Sequence, residues 1–193
     1  MALTQETVVD AAVGILRDFG LADLSMRRLA RDLEVQVGAL YWHVKNKQEL
    51  LVEVAATLLN TPALGAPAGG APGAGNDVAP SPAARGAILH LASSLHTMLL
   101  PIPDSAEVVH VARVLAPERL APLARLTGLL AAAGLREDHA VSAQSLIVNH
   151  VLGSIAEAQN RADFDVAGAD APDFRWALER ALDGLLPVGP ANH

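Results

Sequence analysis

Cysteine is absent from the 193-residue sequence, aromatic side chains make up 3% of it, and lysine occurs just twice, at Lys45 and Lys47. Each shortage excludes something. Without thiols there is no disulfide framework and no thiolate metal site. The opening MALTQETVVDAAVGIL has no basic stretch of the kind that begins a secretory signal, and no uninterrupted apolar run is long enough to cross a bilayer. No nucleophile and base stand at a recognisable catalytic spacing, and there is no glycine-rich phosphate loop. The expectation is a cytoplasmic protein that is not an enzyme, uses no cofactor and has no membrane partner.

What is abundant is alanine and leucine. Hydrophobic residues reach 51% and charged residues 18%, a balance that favours an all-α fold of helices packed on helices. The net charge of −7 argues against a general affinity for nucleic acid. Its distribution is uneven. Between Leu24 and Lys47 five basic residues (Arg27, Arg28, Arg31, Lys45, Lys47) face two acidic ones (Asp32, Glu34), with His43 in addition. An acidic body carrying one small basic face fits selective DNA binding.

Apolar residues recur at helical spacing through Val8, Ala11, Ala12, Ile15, Leu16 and Phe19, with Thr4 to cap the start and Gly20 suited to a left-handed position past the end. A second helix opens at Ser25 and buries Leu29, Ala30 and Leu33, and a third spans about Gln36 to His43. A fourth starts at Asn46, where Asn46 and Glu49 can exchange backbone hydrogen bonds as a capping box. Lys47 then sits in a first helical turn, which is unfavourable unless an anion is near. In residues 61–83 ten positions are Gly or Pro, which makes this a flexible junction between a domain of residues 1–60 and one of residues 84–193. Beyond it the pattern predicts helices over Ala84–Leu100, Ala106–Leu115, Pro117–Ala133, Glu137–Arg161 and Asp173–Leu186.

Two short helices held together by Leu29, Leu33, Val35 and Leu40 between longer supports have the form of a helix-turn-helix, whose later helix enters the major groove. Leu40 and Val44 supply its inward face, so Tyr41, Trp42 and His43 cannot all point inward. Their O–H and N–H groups, with the Lys47 ammonium, suit phosphates. Val37 and Ala39 can meet thymine methyls, Gly38 lets the backbone approach closely, and Arg27 can take a guanine edge. Ser25, Arg27, Val37, Gly38, Ala39, Tyr41, Trp42, His43 and Lys47 make up the expected DNA-binding set.

The stretch LSMRRLARDLEVQVGALYWHVKNKQELL resembles the DNA-binding segment of the tetracycline-repressor (TetR) family, and the match covers roughly residues 4–58. The resemblance implies an all-helical, homodimeric transcriptional regulator, in which a small molecule bound by the C-terminal domain moves the two reading heads and releases double-stranded DNA. By position Arg27 matches a base-contacting arginine, and Tyr41, Trp42, His43 and Lys47 match positions on the DNA backbone or nearby bases. Where the repressor that names the family has Gln-Pro-Thr, this sequence has Val37-Gly38-Ala39, which implies a different operator. The segments corresponding to the family's dimerising four-helix bundle are about 137–161 and 173–186. DSAEVVHVARVLAP and VLGSIAEAQ point to His110 and Glu157 as effector-site residues. Leu91 and Leu95 replace an amide and an aromatic ring, which favours an apolar or amphipathic effector over tetracycline.

Two other readings share these residues. His90, His96, His110, His139 and His150 lie in the larger domain without a compact metal-ligand spacing, yet His110 with Glu157 would serve a helical metal-binding or enzymatic protein. A DNA-binding dimer with no response to a small molecule is the other.

Overall fold

In the computed structural model, which describes residues 3–65, 82–164 and 173–186, helices account for all regular structure among the described residues. The all-α expectation holds. Local chemistry sets where the helices begin. The Thr4 hydroxyl accepts the Thr7 N–H at 3.1 Å and opens α1 (Gln5–Asp23). Ser25 caps α2 (Met26–Asp32) through the Arg28 N–H at 3.2 Å. After the short α3 (Val37–Leu40), Asn46 caps α4 (Lys47–Leu59) through the Glu49 N–H at 2.8 Å. The Glu49 carboxylate accepts the Lys45 N–H and not that of Asn46, so the reciprocal half of the expected capping box closes one residue upstream.

The predicted burial of Phe19 fails for a backbone reason. Gly20, with φ +77°, interrupts the helical geometry of α1, and Leu24 fills the core beyond it. Phe19 is left 53% exposed, with the Arg28 guanidinium 4.5 Å above its ring.

Four differences mark the C-terminal part. Pro62–Gly65, inside the expected flexible junction, forms a helical turn, α5, with Leu64 fully buried. Residues 66–81 lie outside the described residues, and α6 (Pro82–Leu99) starts two positions before the expected Ala84. After α7 (Ser105–Leu115), the single helix expected over Pro117–Ala133 is divided into a 3₁₀ turn at Pro117–Arg119 and α8 (Ala121–Ala132). Pro122 is the cause: it lacks an N–H and its ring would collide with an earlier carbonyl in a continuous helix, so the helix restarts with Pro122 in its first turn. The long α9 (Glu137–Asp163) runs slightly past its expected end. α10 (Phe174–Leu185) follows its expectation, capped by Asp173 on the Trp176 N–H at 2.9 Å.

The core is one contiguous cluster reaching from Val8 on α1 to Leu182 on α10. At its centre is α4. Leu50, Leu51, Val52, Val54, Ala55, Ala56, Leu58 and Leu59 are buried and leave it no broad polar side, because α1 packs on one flank and α7 on another. No helix among the described residues is long and apolar enough to cross a membrane.

Candidate nucleic-acid interface

The α2–α3 turn is made tight by Glu34, whose φ of +55° is left-handed, and by the Val35 N–H donating to the Ala30 carbonyl at 2.9 Å. This fixes α3 against α2 through the fully buried Leu29 and Leu40. Regular helix stops at Leu40, short of the expected His43, and the chain continues in tight turns, with His43 N–H on the Leu40 carbonyl at 2.9 Å and Val44 N–H on the same oxygen at 3.0 Å. Those turns bury Val44 and push its neighbours out. Tyr41 is 49% exposed and Trp42 89% exposed, while His43 is half-buried.

The three arginines of α2 divide their work. Arg28 lies over Phe19 and reaches Asp32 at 2.8 Å and Asp23 at 3.4 Å, so it braces the turn between α1 and α2. Arg31 stands 3.6 Å from Asp32. Arg27 is exposed and, among the described residues, has no acidic partner; Lys45, which is exposed, and Lys47, which is half-buried, have none either. Val37 and Ala39 are half-buried and Gly38 is exposed, with nothing within 4 Å of the place a Cβ would occupy. The fold itself makes no demand for glycine there.

Gln36 escaped the sequence reading. It is exposed at the N-cap of α3 and its side chain makes no capping bond, so its amide is available next to Val37. Its place at the start of the third helix was the available signal. Asp104 also escaped. With φ +56° ahead of α7, it accepts the Leu21 N–H through Oδ2 at 2.7 Å and ties the turn after α6 to the bend in α1. Arg119 to Glu53, at 2.7 Å, is a second bond between the two parts of the molecule, and Gln159 pins the same turn by donating to the Leu100 and Ile102 carbonyls at 3.1 and 2.7 Å.

The effector residues expected from sequence are not gathered into one cavity. Leu91 and Leu95 are 1% and 4% exposed and belong to the core, because they lie on the inward side of α6. A cavity of about 490 Å³ lies along other α6 residues, lined by Leu89, His90, Ser93, Ser94, Thr97, Met98 and Arg175. His110 is exposed, and Glu157 is exposed and paired with Arg161 at 3.1 Å. No group of three or more metal-ligating side chains assembles among the described residues. Two histidines do meet an aromatic ring: His96 and His150 stack on Phe174 with centroids 4.1 and 5.1 Å away, and the His150 ring nitrogen lies 3.1 Å from the Phe174 carbonyl. Burial, and then the adjacent His150, hold the His96 imidazole below its ordinary pKa.

Two family models match the sequence: "Bacterial regulatory proteins, tetR family" over residues 8–54 and "Tetracyclin repressor-like, C-terminal domain" over residues 80–188. The tetracycline repressor protein class A from transposon 1721 of Escherichia coli is 32% identical over 197 residues, covering 97% of this chain and 83% of that protein. Among solved structures, BioQ with its natural double-stranded DNA operator is 34% identical with a TM-score of 0.75, covering 95% of this chain and 98% of that one. ActR of Streptomyces coelicolor in complex with (S)-DNPA is 27% identical with a TM-score of 0.76, covering 96% and 98%.

Proposed function

The chain belongs to the tetR family of bacterial regulatory proteins, which are transcriptional regulators and not enzymes, and on that basis we propose that it represses transcription as a homodimer on an inverted-repeat operator and is released by a small molecule. One observation carries this reading: Arg27, Lys45 and Lys47 have no acidic partner among the described residues and share the helix-turn-helix with the exposed Tyr41 and Trp42. Cations and rings left unused by the fold are what phosphates and sugar edges require. Arg27 takes a base edge, Ser25, Tyr41, Trp42, His43 and Lys47 take the backbone, and Val37, Gly38 and Ala39 lie against bases. Gln36 supplies an amide suited to adenine.

Dimerisation uses α9 and α10. Val141 and Leu146 on α9 are 53% and 47% exposed, and Trp176 on α10 is 62% exposed. An indole and two aliphatic side chains on neighbouring helices form an apolar face that a second copy covers. Residues 1–60 serve as the reading head, and residues 84–193 dimerise and bind the effector. ActR, with (S)-DNPA bound, is a relative in which a small molecule occupies this fold. The effector here is apolar or amphipathic rather than tetracycline, since Leu91 and Leu95 stand where the tetracycline repressor has an amide and an aromatic ring and, packed into the core, offer neither group. The metal-binding or enzymatic reading of His110 and Glu157 is not favoured, because both are exposed and Glu157 is already held by Arg161.

Capture of sheared source DNA at near-physiological salt, followed by footprinting, tests the proposal. A discrete inverted repeat protected by the protein is the expected result; protection without two-fold symmetry, or no retained DNA, refutes it.

A further inference from the structure

We propose that the cavity between α7, α8 and α9 is the effector site and that it binds a small carboxylate with an apolar body, the carboxylate lying on Arg113. This deepens the ligand-responsive reading above and rests on it. Arg113 is half-buried near the end of α7, and its Nη2 donates to the Asn149 Oδ1 at 2.7 Å. Its Nη1 is shielded from solvent and has no hydrogen-bond partner among the described residues. Nor does Arg113 form an ion pair among them, whereas Arg28, Arg85, Arg119, Arg161 and Arg175 each meet a carboxylate. A half-buried guanidinium with one nitrogen shielded from water and unpartnered, and a neutral amide as its one hydrogen-bond partner, is incompletely compensated, and an anion in the adjoining space would compensate it.

The adjoining space is of ligand size, about 410 Å³. Pro117, Leu123 and Ala124 give it apolar walls, joined by Val141, which also belongs to the face assigned to the second copy; Thr127, Ser145 and Gln144 give it hydrogen-bonding groups, and no acidic residue lines it. Gln144 is only 9% exposed. The larger cavity on α6 offers less to an anion, because its one guanidinium, that of Arg175, already meets Glu179 at 3.1 Å. Position favours the Arg113 cavity as well. α7 carries Arg113 near one end and follows Asp104, which holds the Leu21 N–H of the reading head, at the other. A ligand that draws Arg113 inward therefore acts on the helix that the head is tied to.

The test uses the full-length protein, octanoate and 1-naphthoate as probes, and octanamide and 1-naphthamide as their neutral counterparts. Thermal shift measures binding, and release from the footprinted operator measures response. Either acid is expected to bind at least about tenfold more tightly than its amide and to release DNA. Arg113→Gln should abolish that preference, and Ala124→Glu, at an exposed position on the wall, should block the acid, with both variants keeping operator affinity in the absence of probe. If Arg113→Gln does not fold, Ala124→Glu carries the test. Equal binding of acid and amide, no stabilisation by either acid, or an acid preference that survives both substitutions overturns the proposal. Failure to bind any operator, with acid binding intact, would instead count against the regulatory reading and leave the anion site standing.

Discussion

Replacing Gly20 with alanine should destabilise the protein and do so through Asp104. At φ +77° and ψ −178° the backbone of Gly20 lies where an L side chain is strained, a cost of about 1–3 kcal/mol. The added Cβ would also stand 2.8 Å from the Asp104 Oδ2 and 3.7 Å from the Pro103 Cβ. The carboxylate must then retreat from the Leu21 N–H, which it accepts at 2.7 Å; because Asp104 is exposed, losing that bond should cost about 1 kcal/mol. Gly20→Ala should therefore cost about 2–4 kcal/mol and Asp104→Ala about 1 kcal/mol. In the double variant the clash has gone, so the cost should fall short of the sum of the two singles by about 1 kcal/mol. Urea denaturation of the four proteins at one protein concentration gives the cycle. Additivity within about 0.3 kcal/mol would refute the link between the bend in α1 and the turn before α7.

Arg27→Ala should cost about 1–3 kcal/mol of operator affinity and relax preference at one base pair, read by binding to single-substitution operators. Lys47→Ala should weaken binding to all sequences alike and make the log–log salt slope shallower by roughly 0.9 per subunit. Arg28→Ala should lower stability by about 1 kcal/mol, through loss of its contacts to Phe19, Asp23 and Asp32, and leave base preference unchanged; a shift in preference would mean that the roles of Arg27 and Arg28 are reversed. Because the folded-state pKa of His96 is lowered, its contribution to stability is fully present above the ordinary histidine value of about 6.5 and is lost as pH falls through the folded value. The urea midpoint should drop across that interval in the native protein and drop less in His96→Gln.

The helix-turn-helix was legible because its determinants are local. Thr4, Ser25 and Asn46 cap helices through groups three residues away, and the buried pair Leu40 and Val44 forces Tyr41 and Trp42 outward whatever lies elsewhere in the chain. Phe19 misled because apolar spacing alone does not show that the backbone turns away one residue later. Leu91 and Leu95 were positioned by correspondence with relatives, and which side of α6 meets the core depends on α8 and α9 packing against it. Least legible were bonds across long stretches of chain: Asp104 to Leu21 spans 83 positions and Arg119 to Glu53 spans 66, and no periodicity announces either.

The burial of α4 on both flanks has a consequence for modularity. Exchanging DNA specificity between relatives would be simplest if the helix-turn-helix were a detachable tool on an independent handle. Here the handle's first helix is also the head's last: α1 rests on one side of it and α7 on the other. A fragment ending at Asn60 would bare the leucine-rich surface that faces α7, and a body beginning at Pro82 would lack the helix that completes its core. A successful graft must carry α4 together with the α7 surface that meets it, so in this molecule a new binding specificity is inherited along with part of the apparatus that controls it.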